Sequence, residues 1–173
     1  MSRVPANSFG DFRCIHCKRE VHTNRSVSGV HNRNHCPYCL YSRHLDQAEA
    51  GDRDSECLGA MAPIALTAKR TRKKYGDNLG ELMLVHSCEQ CGKFSINRIA
   101  ADDVAHEIVR VYRQSLALPL HFRDALALNE ITVLTEAEAE IVAQRLYGRG
   151  AVTDLAAWLG GEDLPDPSEA LEQ

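Results

Sequence analysis

The spacing of the cysteines limits most strongly what this chain can fold into. Cys14 and Cys17 form one C-x2-C pair, and Cys36 and Cys39 form a second pair after an 18-residue spacer. Two thiolates separated by two residues can chelate one ion from a tight turn, and two such turns complete a tetrahedron around Zn(II). The spacing therefore predicts a structural zinc site whose four thiolates leave no open coordination position.

Three further cysteines predict a second zinc site and leave its fourth ligand open. Cys88 and Cys91 form another C-x2-C turn, and Cys57 stands alone. The local candidates for the fourth ligand are His44 and His86. We favour His44, because His86 lies only two residues before the turn and would strain it. On this interpretation the chain binds two zinc ions. The alternative is that Cys57 is a buried free thiol and that the last C-x2-C turn binds no metal.

Apolar periodicity predicts an α+β fold with two zinc ribbon-like units of short antiparallel strands, followed by a helical region. Three candidate strands cover residues 63–68, 81–86 and 94–99. The predicted division of the chain is a flexible lead-in (1–11), a zinc-binding domain (12–103), a helical extension (104–160) and a disordered acidic tail (161–173).

Helix-capping residues set the expected limits of two helices. Asp102 and Asp103 precede a helical period, so they predict an N-cap and negative charge in the first turn. Thr135 and Glu138 match a capping box. The helix that this box opens is expected to end at Gly148.

Charge is distributed unevenly along the chain. Residues 1–100 carry 15 Lys and Arg against 10 Asp and Glu, a net charge of +5. Residues 101–173 carry 5 against 14, a net charge of −9. The basic half favours a polyanion as partner. The acidic half could contact a protein partner or fold back onto the basic half.

Apolar runs and cysteine usage indicate the compartment. No uninterrupted apolar run approaches the roughly 18 residues that a membrane span needs, and the N-terminus has no apolar stretch typical of a secretory signal. Seven cysteines in a reducing compartment favour metal binding over disulfides. The sequence therefore predicts a cytoplasmic location and no membrane partner.

Several short motifs are similar to the signature of one protein family. Arg33-Asn34-His35-Cys36-Pro37 spells the motif after which the RNHCP-domain family is named. The further matching segments, in order, are Ser42-x-His44-x-Asp46, Gly51-Asp52-Arg53, Cys57, His86-x-Cys88-x-x-Cys91-Gly92 and Asn97-Arg98-Ile99-Ala100-x-Asp102-Asp103. The chain thus resembles this family over about residues 10–105. The resemblance implies a small bacterial zinc-binding domain and names no reaction.

Polar residues beside the predicted ligands favour an RNA-binding module. Arg and Asn side chains held by a zinc turn can grip a phosphate or a base edge, and a run of cations suits a phosphate backbone. The candidate nucleic-acid contacts are Arg33, Asn34, Arg43, Arg53, Lys69, Arg70, Arg72, Lys73, Lys74 and Arg98. We therefore expect a zinc-binding adaptor whose partner is RNA, either ribosomal or transfer RNA.

Other functions are consistent with the same residues. His44, Asp46 and His86 supply the acid/base groups of a zinc-dependent hydrolase or nuclease, although three thiolates make zinc a poor Lewis acid. A zinc module that binds only a protein partner is a third possibility. Arg43 and Arg53 could also pair with nearby Asp residues instead of binding RNA.

Overall fold

The structure is a computed structural model, and it describes residues 10–49, 51–69 and 80–161. Its strands are β1 (Phe12–Arg13), β2 (Glu20–Val21), β3 (Ser42–Arg43), β4 (Ala60–Lys69), β5 (Glu81–Cys88) and β6 (Phe94–Arg98). Its helices are α1 (Arg25–Ser28), α2 (Ala105–Leu116), α3 (Leu120–Leu128), a 3-10 turn (Glu136–Glu138), α4 (Ala139–Tyr147) and α5 (Leu155–Gly160). Within these ranges, no helix is both long enough and apolar enough to cross a bilayer. The predicted contacts that lie outside the described residues are Arg70, Arg72, Lys73 and Lys74, together with most of the predicted lead-in and tail.

Four strands form one antiparallel sheet in the order β3-β4-β5-β6, and β1 pairs with β2 in a separate ribbon. The longest pair joins β4 to β5 and places Leu66 opposite Leu84. The register of this pair shifts between Pro63 and Ala65, as expected for a strand that contains a residue without a backbone N–H. Strands β4, β5 and β6 confirm the three predicted strands, and the helices after the sheet confirm the α+β fold.

The helices and the sheet share one hydrophobic core. Leu66 and Leu84 of the sheet belong to the same buried cluster as Tyr112 of α2 and Trp158 of α5. The Tyr112 hydroxyl donates to a backbone carbonyl, and burial raises the pKa of Tyr112 to about 12. Leu40, which directly follows a predicted zinc turn, is also fully buried in this cluster. That contact anchors the zinc turn to the core.

Helix α2 begins later than the local capping pattern predicts. Its N-cap is Val104, which makes no side-chain cap hydrogen bond. The prediction that Asp102 and Asp103 cap this helix was therefore wrong. The physical reason is competition, because the two carboxylates bind the side chains of Arg33 and His35 instead.

The capping box before α4 is confirmed. The Thr135 hydroxyl accepts from the Ala137 amide at 3.3 Å, and Glu138 Oε2 accepts from the Thr135 amide at 2.7 Å. Each bond satisfies a backbone donor that the helix itself leaves free. Helix α4 then ends at Gly148, as predicted.

Candidate metal centres and the cleft beside them

The three C-x2-C turns share one backbone conformation. The turns begin at Cys14, Cys36 and Cys88, and the fifth residue of each donates its amide N–H to the carbonyl of the first cysteine. The donors and their N···O distances are Lys18 at 3.2 Å, Leu40 at 2.8 Å and Gly92 at 3.0 Å. Each donor has a positive φ, between 61° and 74°, a region that favours glycine and is strained for other residues. The shared turn brings the two sulfurs of each pair together.

The first predicted site is assembled as the spacing requires. Cys14 Sγ lies 3.6 Å from Cys39 Sγ, and Cys17 Sγ lies 3.6 Å from Cys36 Sγ. All four sulfurs lie within 4.8 Å of one another. A tetrahedral site with Zn–S bonds of about 2.3 Å has S···S edges of about 3.8 Å. The donor set and its spacing therefore fit one zinc ion.

Hydrogen bonds to sulfur favour the thiolate form that binds metal. A hydrogen bond with the Cys39 thiol, aided by backbone N–H groups, lowers the pKa of Cys36 to about 5 against the opposing effect of burial. At Cys88 burial raises the pKa. Hydrogen bonds, those from the backbone amides of Cys91 and Gln90 first, outweigh this effect and lower the pKa to about 6. The hydrogen bond that lowers the pKa of Cys36 raises the pKa of Cys39, and burial raises the pKa of Cys14. The thiolate, which is the form of cysteine that ligates metals, is therefore favoured at Cys36 and Cys88 in particular.

The second site combines three cysteines with His44. Cys57 Sγ lies 3.6 Å from Cys88 Sγ, and Cys91 Sγ lies 3.3 Å from Nδ1 of His44. The four ligand atoms lie within 4.8 Å of one another. Three thiolates and one imidazole form a common structural zinc set, so these residues fit a second zinc ion.

His86, the other candidate ligand, lies outside both groups of the described residues. Its Nε2 is 2.7 Å from the Leu40 carbonyl oxygen, and its Nδ1 is 3.0 Å from Nδ2 of Asn97. Because a carbonyl can only accept, Nε2 carries the proton and Nδ1 accepts from the amide of Asn97. Burial, followed by the charge of His35, lowers the pKa of His86 to about 3. Both ring nitrogens of His86 are thus engaged within the protein.

These contacts predict different zinc contents for variants of His44 and His86. His44→Ala is expected to bind one zinc ion per chain instead of two, because it removes one of the four ligands of the second group. His86→Gln is expected to keep two and to lose stability only, since it removes buried hydrogen bonds. Zinc per chain is measured by mass spectrometry after gel filtration. Two zinc ions in His44→Ala with one in His86→Gln would reverse the assignment.

Arg33, predicted as a nucleic-acid contact, is instead buried in an ion-pair network. Its Nη1 donates to both oxygens of Asp102, at 2.8 and 2.6 Å, and its Nη2 donates to Asp103 at 2.9 Å. The Arg33 side chain is 0 % exposed. A guanidinium that is fully buried and paired with two carboxylates cannot reach a phosphate, so the prediction for Arg33 was wrong.

The other residues around Arg33 tie the same loop to its surroundings. His35 Nε2 donates to Asp103 at 2.7 Å. The backbone carbonyl oxygen of Asn34 accepts from the Ser42 hydroxyl at 2.6 Å. The side-chain Oδ1 of Asn34 accepts from the Arg53 guanidinium at 3.1 Å. Pro37 accepts from a backbone amide through its carbonyl oxygen, at 3.0 Å. The polar residues of the five-residue motif are therefore engaged in holding the loop in place.

A comparison with known protein families finds one match. The family model of the RNHCP domain matches residues 9–109, more than half of the chain. The chain belongs to the RNHCP-domain family. No curated protein and no solved structure matches it. In this RNHCP domain the motif that names the family supplies one candidate metal ligand, Cys36, and a set of interior contacts.

A cleft of about 720 Å³ lies beside the second metal group of the RNHCP domain, and His44 of that group lines it. It runs along β6, one of the two edge strands of the four-stranded sheet, where residues 93–98 all line it, and it also reaches Ser42 and Arg43 of the other edge strand, β3. Of the predicted nucleic-acid contacts, Asn34, Arg43, Lys69 and Arg98 line the cleft, whereas Arg33 and Arg53 do not. The sequence interpretation missed Arg25 and Lys93, which also line the cleft. Arg25 belongs to none of the quoted motifs, whereas Lys93 directly follows Gly92 of the last zinc turn and could have been found there.

The acid/base groups proposed for a hydrolase are largely used in the fold. His44 and Asp46 line the cleft, but His86 does not. Asp46 Oδ1 accepts from the Arg53 amide at 3.3 Å. Asp52 accepts three backbone amides, from Gln47, Ala48 and Glu49 at 2.7–2.8 Å, and these bonds hold the pKa of Asp52 below its usual range. Asp52 therefore stabilises a turn of the RNHCP domain.

Proposed function

We propose that the chain is a zinc-organised adaptor that binds RNA along the basic cleft beside the second metal group. Two zinc ions per chain hold the loops that form the cleft, and each has four protein ligands. Because a closed tetrahedral site has no position for a substrate, the metals shape the surface and take no part in a reaction. The module works in the cytoplasm, where its thiols stay reduced.

The distribution of charge around the cleft carries this proposal. The cations that line it are Arg25, Arg43, Lys69, Lys93 and Arg98, and the acids are Asp46 and Glu49. Lys69 is also the first residue of the basic run that continues with Arg70, Arg72, Lys73 and Lys74. In the sequence, four further cations therefore follow closely after a residue that lines the cleft. An excess of cations around one concave surface suits a polyanion.

The acidic half gives the adaptor a second possible contact. Residues 101–173 carry a net charge of −9, which disfavours binding of a phosphate backbone there. A protein partner on these helices would complete an adaptor that joins RNA, on the ribosome or as transfer RNA, to a protein.

Ultraviolet cross-linking in cells, followed by sequencing of the attached RNA, tests the proposal. Enrichment of one region of ribosomal or transfer RNA is the expected result and would identify the partner. A background level of RNA, with a protein recovered on the purified chain instead, would overturn it in favour of the protein-binding module.

Salt dependence in solution gives a quantitative prediction. Binding of a single-stranded RNA to the purified zinc-loaded chain should weaken as salt rises, with a log–log slope of about −0.7 for each phosphate neutralised. Replacing Lys69, Arg70, Arg72, Lys73 and Lys74 with Ser should make this slope shallower by up to about 3.5 units, because five cations are removed. Fluorescence anisotropy measures the affinity. Arg149→Ser, an exposed cation of the acidic half, is the control and should leave the slope nearly unchanged. An equal slope in the five-residue variant would contradict the prediction.

A further inference from the structure

The cleft has two ends, which are defined by the strand that runs along it. Strand β6 extends from Phe94 to Arg98, and both residues line the cleft. The second metal group lies where β6 begins, because the amide of its ligand Cys88 donates to the carbonyl of Lys93 at 2.9 Å. We call this end the metal end and the end at Arg98 the far end. Four residue steps of about 3.3 Å separate the two ends by about 13 Å.

Lys69 lies at the far end. It is opposite Glu81 in the register of β4 with β5, and Oε2 of Glu81 lies 3.4 Å from Nη2 of Arg98. Lys69 is exposed and has no side-chain hydrogen bond or ion pair with the residues that the structure describes. In the sequence, residues 70–79 follow it with four further cations and one acid.

Arg25 is brought to the same end, although it is far from Lys69 in the chain. It begins helix α1, whose last residue, Ser28, accepts from the amide of Ala101 at 2.8 Å. Ala101 comes shortly after Arg98, and Ser28 and Arg98 also line a second, smaller cavity together. The Arg25 side chain is exposed, lines the main cleft and has no partner in the described part of the chain.

The charges at the metal end cancel. The cations that line this end are Arg43 and Lys93, and the acids are Asp46 and Glu49. Nζ of Lys93 is engaged, because it donates to the backbone carbonyls of Asp46 and Gln47. Arg43 is exposed, but two carboxylates of the following turn offset its charge together with that of Lys93.

We infer that an RNA strand is held by its phosphates at the far end of the cleft, and that Arg25, Lys69 and Arg98 bind them. The inference rests on the proposed function and specifies where on the cleft the strand is gripped. The three cations outnumber the one acid beside them, Glu81, so the far end attracts a polyanion more strongly than the balanced metal end does. A guanidinium can grip a phosphate through two parallel hydrogen bonds, and all the donors of Arg25 are available for this contact.

Two matched arginine variants of the zinc-loaded full chain test the inference. Arg25→Gln and Arg43→Gln each remove one exposed guanidinium that lines the cleft, at opposite ends. Fluorescence anisotropy measures their affinity for a single-stranded RNA over a series of salt concentrations. Arg25→Gln should weaken binding and make the log–log slope shallower by about 0.7, the value for one phosphate contact. Arg43→Gln should leave the slope nearly unchanged. Circular dichroism and zinc content verify that both variants are folded.

A second pair of variants tests for a gain of affinity, which partial unfolding cannot imitate. Glu81→Gln removes the acid of the far end and releases Arg98 from its ion pair. It should strengthen RNA binding at low salt by about threefold or more and steepen the slope by up to about 0.7. Glu49→Gln removes an exposed carboxylate of the metal end and is the control. It should strengthen binding by less than about twofold.

The outcomes separate this inference from the proposed function. If RNA binds and only Arg43→Gln and Glu49→Gln change the affinity, the phosphates lie at the metal end and the inference is overturned while the proposed function stands. Equal responses of all four variants, or of none, would overturn it in the same way. If poly-glutamate binds as tightly as the RNA and Arg25→Gln weakens both equally, the far end is a site for an acidic peptide and the inference is overturned. If no RNA binds at low salt, the proposed function fails and the inference fails with it.

Discussion

Replacing Arg33 with methionine is expected to lower the free energy of unfolding by about 3–5 kcal/mol, the usual cost of removing one partner from a buried ion pair. The Asp103 side chain is 0 % exposed and accepts from both Arg33 and His35. Without the guanidinium, Asp103 keeps its negative charge in the interior with much less compensation, and Asp102, whose side chain is 27 % exposed, loses its partner. Urea unfolding at constant zinc concentration, followed by circular dichroism, measures the change.

Two further variants control this prediction. Arg98→Met removes an ion pair to Glu81 whose arginine is 53 % exposed, and it should cost at most about 1 kcal/mol because solvent screens such pairs. Combining Arg33→Met with Asp102→Asn and Asp103→Asn should recover part of the loss, since no unpaired charge then remains buried. Similar small losses for Arg33→Met and Arg98→Met would show that the buried network contributes little to stability.

Local patterns were sufficient to predict most of the fold. The strands β4, β5 and β6 could be located because apolar alternation reports which face of a strand is buried. The capping box at Thr135 could be located because its hydrogen bonds join residues only three apart. The zinc turns are local for the same reason, since chelation geometry fixes the spacing within each pair. Pairing of the turns across the chain followed from the need for four ligands per ion.

The contacts that sequence reasoning missed join residues far apart in the chain. Arg33 and Asp103 are 70 positions apart, and no local pattern connects them. The local rule instead assigned Asp102 and Asp103 to the start of a helix, where acidic residues are common. Tertiary pairing with a buried guanidinium overrode that preference. The cleft was missed because its lining comes from residues 25–35, 42–51 and 93–98 together with single residues of β4 and β5, and its cations are scattered among these segments.

Loss of the first metal site is expected to unfold the N-terminal zinc unit. Cys36→Ser replaces a thiolate that is 0 % exposed and leaves three ligands. The small core of this unit consists of Cys14, Val21 and Cys36 with a few partly buried neighbours, so apolar burial alone cannot hold it. Structural zinc contributes about 10–16 kcal/mol to the folding of zinc-finger peptides, and a typical domain is stable by only about 5–15 kcal/mol. The variant should therefore carry one zinc ion per chain. It should also lose the spectroscopic signals of the folded N-terminal zinc unit.

His16→Ala is the control, because His16 lies inside the other C-x2-C turn of the same four-cysteine group and is exposed. It stacks on Tyr41 with ring centroids 3.8 Å apart, so its loss should cost only about 0.5–1.5 kcal/mol and leave the zinc content unchanged. Titrating the wild-type chain with a chelator should unfold the N-terminal zinc unit, as Cys36→Ser does. The fluorescence of Trp158, which lies in the shared core, should change only at a higher chelator concentration. If Cys36→Ser kept two zinc ions and were as stable as His16→Ala, the four-cysteine group would not be a zinc site. If Trp158 responded together with the zinc unit, the metal would instead support the shared core directly through the turn that ends at Leu40.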